Sequence, residues 1–218
     1  PGAIGRRYRT REKDVTLAVK EPTGRNIPNI NGVCYAPSFV PEDLDPRFKE
    51  LNLKVVRLHN VLSHLKILSR KEDSSFAYDY TILDKAVDQI LAAGALPEIN
   101  LTFVPLIMRD NPEPAKIRGD VYLGPPSDLK KWEEYIYNVV RHCSDKYPDA
   151  ARWYWILGNE PGVAQYSMGT KDDYYEIYRH TVTGAVAALP KIQIGAGSFA
   201  HRAWLKDFVI RCGKDGTR

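Results

Sequence analysis

Cysteine is scarce in this chain: Cys34, Cys143 and Cys212 are the only three among 218 residues. They are far apart, odd in number and form no C-x-x-C pair, which argues against a disulfide framework and a thiolate zinc site. Cys34 falls in a strand-like apolar run and Cys143 in a helical one, so both read as buried, inert thiols. Long hydrophobic runs are also missing, and none approaches the roughly 18 residues of a membrane span. From Pro1 onward there is no hydrophobic signal segment. A mature secreted chain would look the same, so the compartment stays open.

Charge of a single sign is lacking too. The 31 basic and 27 acidic side chains give a net charge of only +4 and are intermixed along the chain. The densest basic cluster, Arg6, Arg7, Arg9 and Arg11, reads as a solvated terminal face. With no recognition motif beside it, nucleic acid is not an expected partner. No glycine-rich phosphate loop follows the first strand-like run, since Cys34-Tyr35-Ala36-Pro37-Ser38 matches neither G-x-G-x-x-G nor a P-loop. No His, Cys, Asp or Glu cluster has metal-ligand spacing, so neither a metal nor an organic cofactor is expected.

What is present is an alternation of elements. Short apolar runs at 32–36, 53–59, 96–103, 152–159 and 192–197 are bounded by glycine, proline or polar clusters, as buried parallel strands are. Amphipathic stretches lie between them at 80–93, 127–147, 172–189 and 203–212. In the first, Ile82, Leu83, Ala86, Val87, Ile90 and Leu91 form a helical stripe. In the second, Leu129, Trp132, Tyr135, Ile136, Val139 and Val140 form another, with Ser127 and Asp128 as candidate N-caps. This order predicts an α/β fold with a parallel sheet and helices outside it. We read residues 1–218 as one domain. The segment 105–126, rich in proline and glycine, reads as a long functional loop on one rim. Without a phosphate loop, and with polar residues gathered at strand ends, a TIM-type (β/α)8 barrel is the better expectation than a doubly wound sheet.

Two strand ends carry chemistry. In Val55-Val56-Arg57-Leu58-His59, alternation puts Arg57 and His59 on one face and Val56 and Leu58 on the other. For the first pair, a sugar-facing role stands beside a plain structural one, in which Arg57 ties the barrel through a carboxylate and His59 is a core histidine. The fourth strand ends Gly158-Asn159-Glu160-Pro161. Glycosidic hydrolysis needs a carboxylic acid to protonate the leaving oxygen and a second carboxylate across the bond. Glu160 fits the acid, and the Asn159 amide can donate to a sugar 2-hydroxyl. Pro161 would stop the strand. A capping glutamate is the bland alternative.

Asn159-Glu160 at the end of strand four resembles the clan A glycoside hydrolases, and within that clan the chain looks most like family 39, which includes β-xylosidases and α-L-iduronidase. Arg57-x-His59 resembles that family's strand-two motif, and Pro97 with Phe103-x-Pro105 its strand-three motif. Trp132, Tyr147, Trp153, Tyr174, Tyr178, Thr181, Gly195, Trp204 and Cys212 fall at the family's spacing. The chain departs from the pattern at Asn100 (usually glutamate), Gly158 (tryptophan) and Gly162 (asparagine), and at Asn60, where the family has glycine. Families 79, 51 and 5 stay open as alternatives on these residues.

The resemblance implies a retaining O-glycosidase acting on a carbohydrate such as a β-xyloside. Glu160 would be the general acid/base, with Asn159, Arg57, His59, Asn100 and Phe103 binding the sugar. It also implies that the nucleophilic glutamate belongs to strand seven. Only five β/α units are counted here, so we expect a fragment with its nucleophile beyond Arg218. Such a piece would present open sheet edges, which predicts a homo-oligomer or a complementary barrel fragment as partner. Glu98 is set aside as a substitute nucleophile. A carbohydrate-binding pseudoenzyme and a scaffold built on a partial barrel are the competing functions.

Overall fold

The computed structural model describes residues 32–34 and 49–217. The arginine cluster at Arg6–Arg11 and the Tyr35–Ser38 segment lie outside the described residues. In chain order the strands and α-helices are β1 (Gly32–Cys34), β2 (Val55–Leu58), α1 (Val61–His64), β3 (Leu68–Arg70), β4 (Phe76–Tyr78), α2 (Thr81–Ala92), β5 (Leu96–Leu101), β6 (Val104–Pro105), β7 (Ile117–Arg118), β8 (Val121–Tyr122), α3 (Leu129–Lys146), β9 (Tyr154–Leu157), α4 (Lys171–Ala188), β10 (Gln193–Ala196) and α5 (Arg202–Asp215).

Five of these strands form one sheet in the order β1-β2-β5-β9-β10, and every neighbouring pair is parallel. These are the five strands expected from the apolar runs, in chain order, which is how successive β/α units lie side by side. Strands β2, β5, β9 and β10 are each shorter than the apolar run that predicted them, because residues at the run ends leave the ladder to join the flanking loops. Side-chain alternation sorts the two faces. Val56, Leu58, Ile99, Leu101, Trp155 and Leu157 are all buried. Arg57, Glu98 and Ile156 occupy the opposite face and are only partly covered.

The helices cover the apolar face. On α2 the stripe buries Leu83, Ala86, Val87 and Ile90, whereas Ile82 at its margin is exposed. On α3 it buries Trp132, Tyr135, Ile136, Val139, Val140 and Cys143. Asp128 is the N-cap of α3 and accepts from the Lys130 and Lys131 amides, the cap that side-chain oxygens supply at helix starts. Ser127 instead accepts from the Asp110 amide. Helix α4 comes very close to α3 at Gly184, where a Cβ would lie 2.3 Å from the Glu133 carbonyl oxygen. Trp132 Nε1 donates to Thr181 Oγ1 at 2.8 Å across that seam.

Two sequence expectations change, and one hairpin was not foreseen. The segment 105–126 is not an unstructured loop: β6, β7 and β8 form a small antiparallel sheet around a turn at Gly119, whose φ is +54°. A second antiparallel hairpin, β3 with β4, precedes α2. Strands of two or three residues are too short to display an alternation pattern. Among the described residues Cys143 is buried, but Cys34 is exposed.

Candidate active site

The strand ends meet at one place. After β9 the chain does not run straight to Pro161: Gly158 already has φ +81° and Glu160 φ +47°. The strand therefore stops at Leu157, and the left-handed turns, not the proline, re-aim Asn159 and Glu160. Left-handed backbone is costly for a residue with a Cβ, so Glu160 must be held by its surroundings. Its amide donates to the Ser198 carbonyl at 2.8 Å, and its own carbonyl accepts from the Val163 amide at 3.0 Å. The Gly197 amide donates to the Leu157 carbonyl, and a Cβ on Gly197 would lie 2.2 Å from the Gly158 oxygen. Only glycine lets the ends of β9 and β10 approach this closely.

Asn100 completes the clamp. Its Oδ1 accepts from the Asn60 amide at 3.1 Å and its Nδ2 donates to the Gly158 carbonyl at 2.8 Å. It is fully buried. Each end of its amide is bonded to backbone, which gives Asn100, read from the sequence as sugar-binding, a bracing contact here. It ties the ends of β2, β5 and β9 together, and so sets the turn that carries Asn159 and Glu160.

Arg57 and Asn159 are brought into contact. Arg57 Nη2 donates to Asn159 Oδ1 at 3.2 Å. A guanidinium can only donate, so it selects the amide oxygen and leaves the Asn159 Nδ2 group turned away as a donor. Arg57 Nε also lies 3.3 Å from Glu98 Oε1, with their side chains 19% and 26% exposed. That contact is an ion pair rather than a hydrogen bond, because the Nε–H is not aligned on the carboxylate. The carboxylate partner foreseen for Arg57 in the structural reading thus exists, and it is Glu98. The two residues are direct neighbours in the β2–β5 register. Glu98 thus shares the face of Arg57.

His59 follows one step along the same face. Burial, then the positive charge of Arg57, then His64, push its pKa from 6.5 down to about 4. It is a neutral imidazole at ordinary pH, and its Nδ1 is buried without a hydrogen-bond partner. Phe103 is 7% exposed and its ring stacks on Tyr166 at 6.4 Å and 10°. Tyr166 stands partly exposed on the loop after Glu160, so it presents much of the aromatic surface here. Sequence reading missed Tyr166; a tyrosine six residues past Asn159-Glu160 was the available signal. The Glu160 side chain is partly exposed, and among the described residues its carboxylate has no hydrogen-bond or ion-pair partner. Among the described residues there is also no group of three His, Cys, Asp or Glu side chains placed to hold a metal.

At two of the positions where the chain departs from the family pattern, Gly158 and Gly162, rings take the space. A Cβ on Gly158 would meet Tyr174 Cε2 at 3.0 Å, and one on Gly162 would meet Trp204 Nε1 and Cε2 at 2.7 Å. Tyr174 is buried and donates from its hydroxyl to the Leu157 carbonyl at 2.9 Å. The aromatic bulk beside Glu160 therefore comes from α4 and α5 rather than from the strand end itself.

Comparison with known proteins identifies the family and the fold. The β-xylosidase of Caldicellulosiruptor saccharolyticus is 23% identical over 195 residues, which are 85% of this chain and 40% of that protein. The β-xylosidase of Geobacillus stearothermophilus is 27% identical over 143 residues, 63% of this chain and 28% of that protein. Among solved structures, the GH39 enzyme from Xanthomonas axonopodis pv. citri superposes with a TM-score of 0.72 at 25% identity, over 85% of this chain and 38% of that one. The chain thus spans at most about 40% of the length of these relatives. Its five parallel strands are β/α units of a TIM barrel, with the polar strand ends on the rim where such barrels place their sites. The profile of the glycosyl hydrolases family 39 matches residues 35–218, and the chain belongs to that family.

Proposed function

We propose that this chain carries the acid/base half of a retaining O-glycoside hydrolase site acting on β-xyloside-like glycans. In this reading Glu160 protonates the leaving oxygen and later deprotonates the incoming water. The nucleophile is a glutamate on strand seven of the complete barrel. Asn159 Nδ2 donates to the sugar 2-hydroxyl, where hydrogen bonds tighten as the oxocarbenium character develops. Arg57 and neutral His59 border the sugar from strand two, with Phe103 and Tyr166 on the other side. The Arg57–Asn159 hydrogen bond at 3.2 Å carries this reading. It joins the second strand's basic face to the residue before Glu160 and leaves the amide donor free for substrate.

The test uses the natural polypeptide that contains this chain. Glu160→Ala should lower kcat on a poorly activated aryl β-xyloside by about 10²–10⁴-fold, the usual worth of a general acid. A substrate with a highly activated leaving group should still glycosylate the variant, and added azide should restore turnover with a β-glycosyl azide as product. An α-azide would overturn the retaining mechanism. Undiminished turnover by Glu160→Ala would overturn the assignment of Glu160. Sugar binding without turnover in the wild-type protein would favour the pseudoenzyme reading, and no binding of any mono- or oligosaccharide the scaffold reading.

A further inference from the structure

Glu98 has no part in the chemistry just described, yet it is charged, partly covered and in contact with the site. It is the side chain that pairs with Arg57 Nε, at 3.3 Å, while Arg57 Nη2 holds Asn159 Oδ1 at 3.2 Å. A guanidinium is a rigid planar group, so a charge drawn to its Nε constrains where Nη2 points. An arginine side chain otherwise has several rotatable bonds and an ordering cost of its own. The Asn159 amide has two near-isosteric orientations, and only the one with its oxygen toward Arg57 leaves Nδ2 free. Asn159 lies in a turn whose backbone is held by the Asn100 clamp and by the neighbouring β10 end. Its backbone is therefore fixed, and its side-chain orientation depends on Arg57.

We propose that Glu98 is a positioning residue: it orients Arg57, and through Arg57 it fixes the Asn159 amide with its NH₂ toward the 2-hydroxyl of the sugar. This rests on the proposed glycosidase reading. Glu98 does not touch substrate, and removing its charge leaves Glu160 and its backbone hydrogen bonds in place. What is lost is discrimination at the 2-position.

The natural polypeptide containing this chain is assayed on an aryl β-D-xyloside and on its 2-deoxy analogue, as wild type, Glu98→Gln, Glu98→Asp and Asn159→Ala. Glu98→Gln should lower kcat/KM on the xyloside by about 10- to 100-fold, the scale of a small misplacement of a positioning group, chiefly through kcat. On the 2-deoxy analogue it should change kcat/KM by less than about threefold. Glu98→Asp should recover part of the loss, and Asn159→Ala should show the same loss of 2-hydroxyl preference. Equal losses on both substrates, or no loss on either, overturn the proposal. Should Glu98→Gln fail to fold, Glu98→Asp reads the same pair, because it keeps the charge and withdraws it by one methylene. If the wild-type protein hydrolyses neither substrate, the glycosidase reading fails, and the Glu98 linkage is read separately by ¹⁵N NMR. The Arg57 Nε–H and Asn159 Nδ2–H₂ signals should then move in the Glu98 variant, while the Asn138 amide, bonded to Tyr78, stays unchanged. An unmoved Asn159 signal overturns the linkage.

Discussion

The Tyr174 ring lies where a side chain at residue 158 would go, since a Cβ on Gly158 would be 3.0 Å from its Cε2 atom. Tyr174 is at the same time anchored by its hydroxyl to the Leu157 carbonyl, so it cannot retreat without giving up a buried hydrogen bond. The glycine and the ring therefore form one unit beneath the turn that holds Glu160.

Gly158→Ala should cost about 1–3 kcal/mol of stability, because the residue combines φ +81° with a tight contact. Gly158→Trp should cost more. Adding Tyr174→Ala should offset part of that larger loss, since the two residues compete for one space and their effects do not add. Urea unfolding of the wild type, the three single variants and the Gly158→Trp/Tyr174→Ala double variant measures this. Simple additivity of the Gly158→Trp and Tyr174→Ala losses would show that the ring and the glycine are uncoupled.

Asn100→Asp removes the donor to the Gly158 carbonyl and sets a carboxylate oxygen against it in a fully buried site. The expected loss is about 2–4 kcal/mol, from an unsatisfied carbonyl and a buried charge without a partner. The loss should shrink at low pH, where the acid is protonated and can donate again. Denaturant midpoints at neutral and acidic pH test both statements, and a pH-independent loss would argue against the clamp.

His59 should stay neutral down to about pH 4, because burial and the charges of Arg57 and His64 all disfavour the imidazolium. The sign follows from linkage: as pH falls below 6.5 the unfolded chain takes up a proton that the folded chain refuses. Stability associated with His59 is complete above about pH 6.5 and declines between 6.5 and 4. His59→Gln should flatten that interval of the stability profile. Arg57→Met should raise the His59 pKa, yet leave it below 6.5, since burial is the larger cause. An imidazole NMR titration reads both values directly, and a His59 pKa at or above 6.5 in the wild-type protein would contradict the geometry.

Thiol reactivity should separate the cysteines. Cys34 is exposed among the described residues and should react with an aromatic disulfide reagent in the folded 218-residue chain. Cys143 is buried, and burial pushes its thiol pKa far up, so it should react only on unfolding. Stopped-flow labelling with Cys34→Ser as the control checks this. Rapid modification of Cys143 in native conditions would show that the α3 core opens readily.

Much of the architecture was written in local pattern. Strand periods of two in Val55–Leu58 and Leu96–Leu101, and helical stripes from Leu83 to Ile90 and Trp132 to Cys143, follow from burying one face of each element. That requirement marks the sequence over several consecutive residues, which is why five strands and four of the helices could be read from it. Asn159-Glu160 stood out for a similar reason: the proposed chemistry asks for those residue types at a strand end. The short strands β3, β4, β6, β7 and β8 left no pattern, because two or three residues cannot show a period.

The sequence by itself determined the alternating β/α order, the faces of its long elements and the identity of the candidate acid. Tertiary structure alone decided how those residues work together. Asn100 looks like any polar strand residue until Asn60 and Gly158, 40 positions before it and 58 after, are placed against its amide. Glu98 looks like a stray charge until the β2–β5 register sets it beside Arg57. Phe103 looks like a lone ring until Tyr166, from the loop after Glu160, stacks on it. Each of these roles is fixed by a hydrogen bond, charge or ring from a distant segment. Such partners are chosen by folding and leave no mark on the neighbouring sequence.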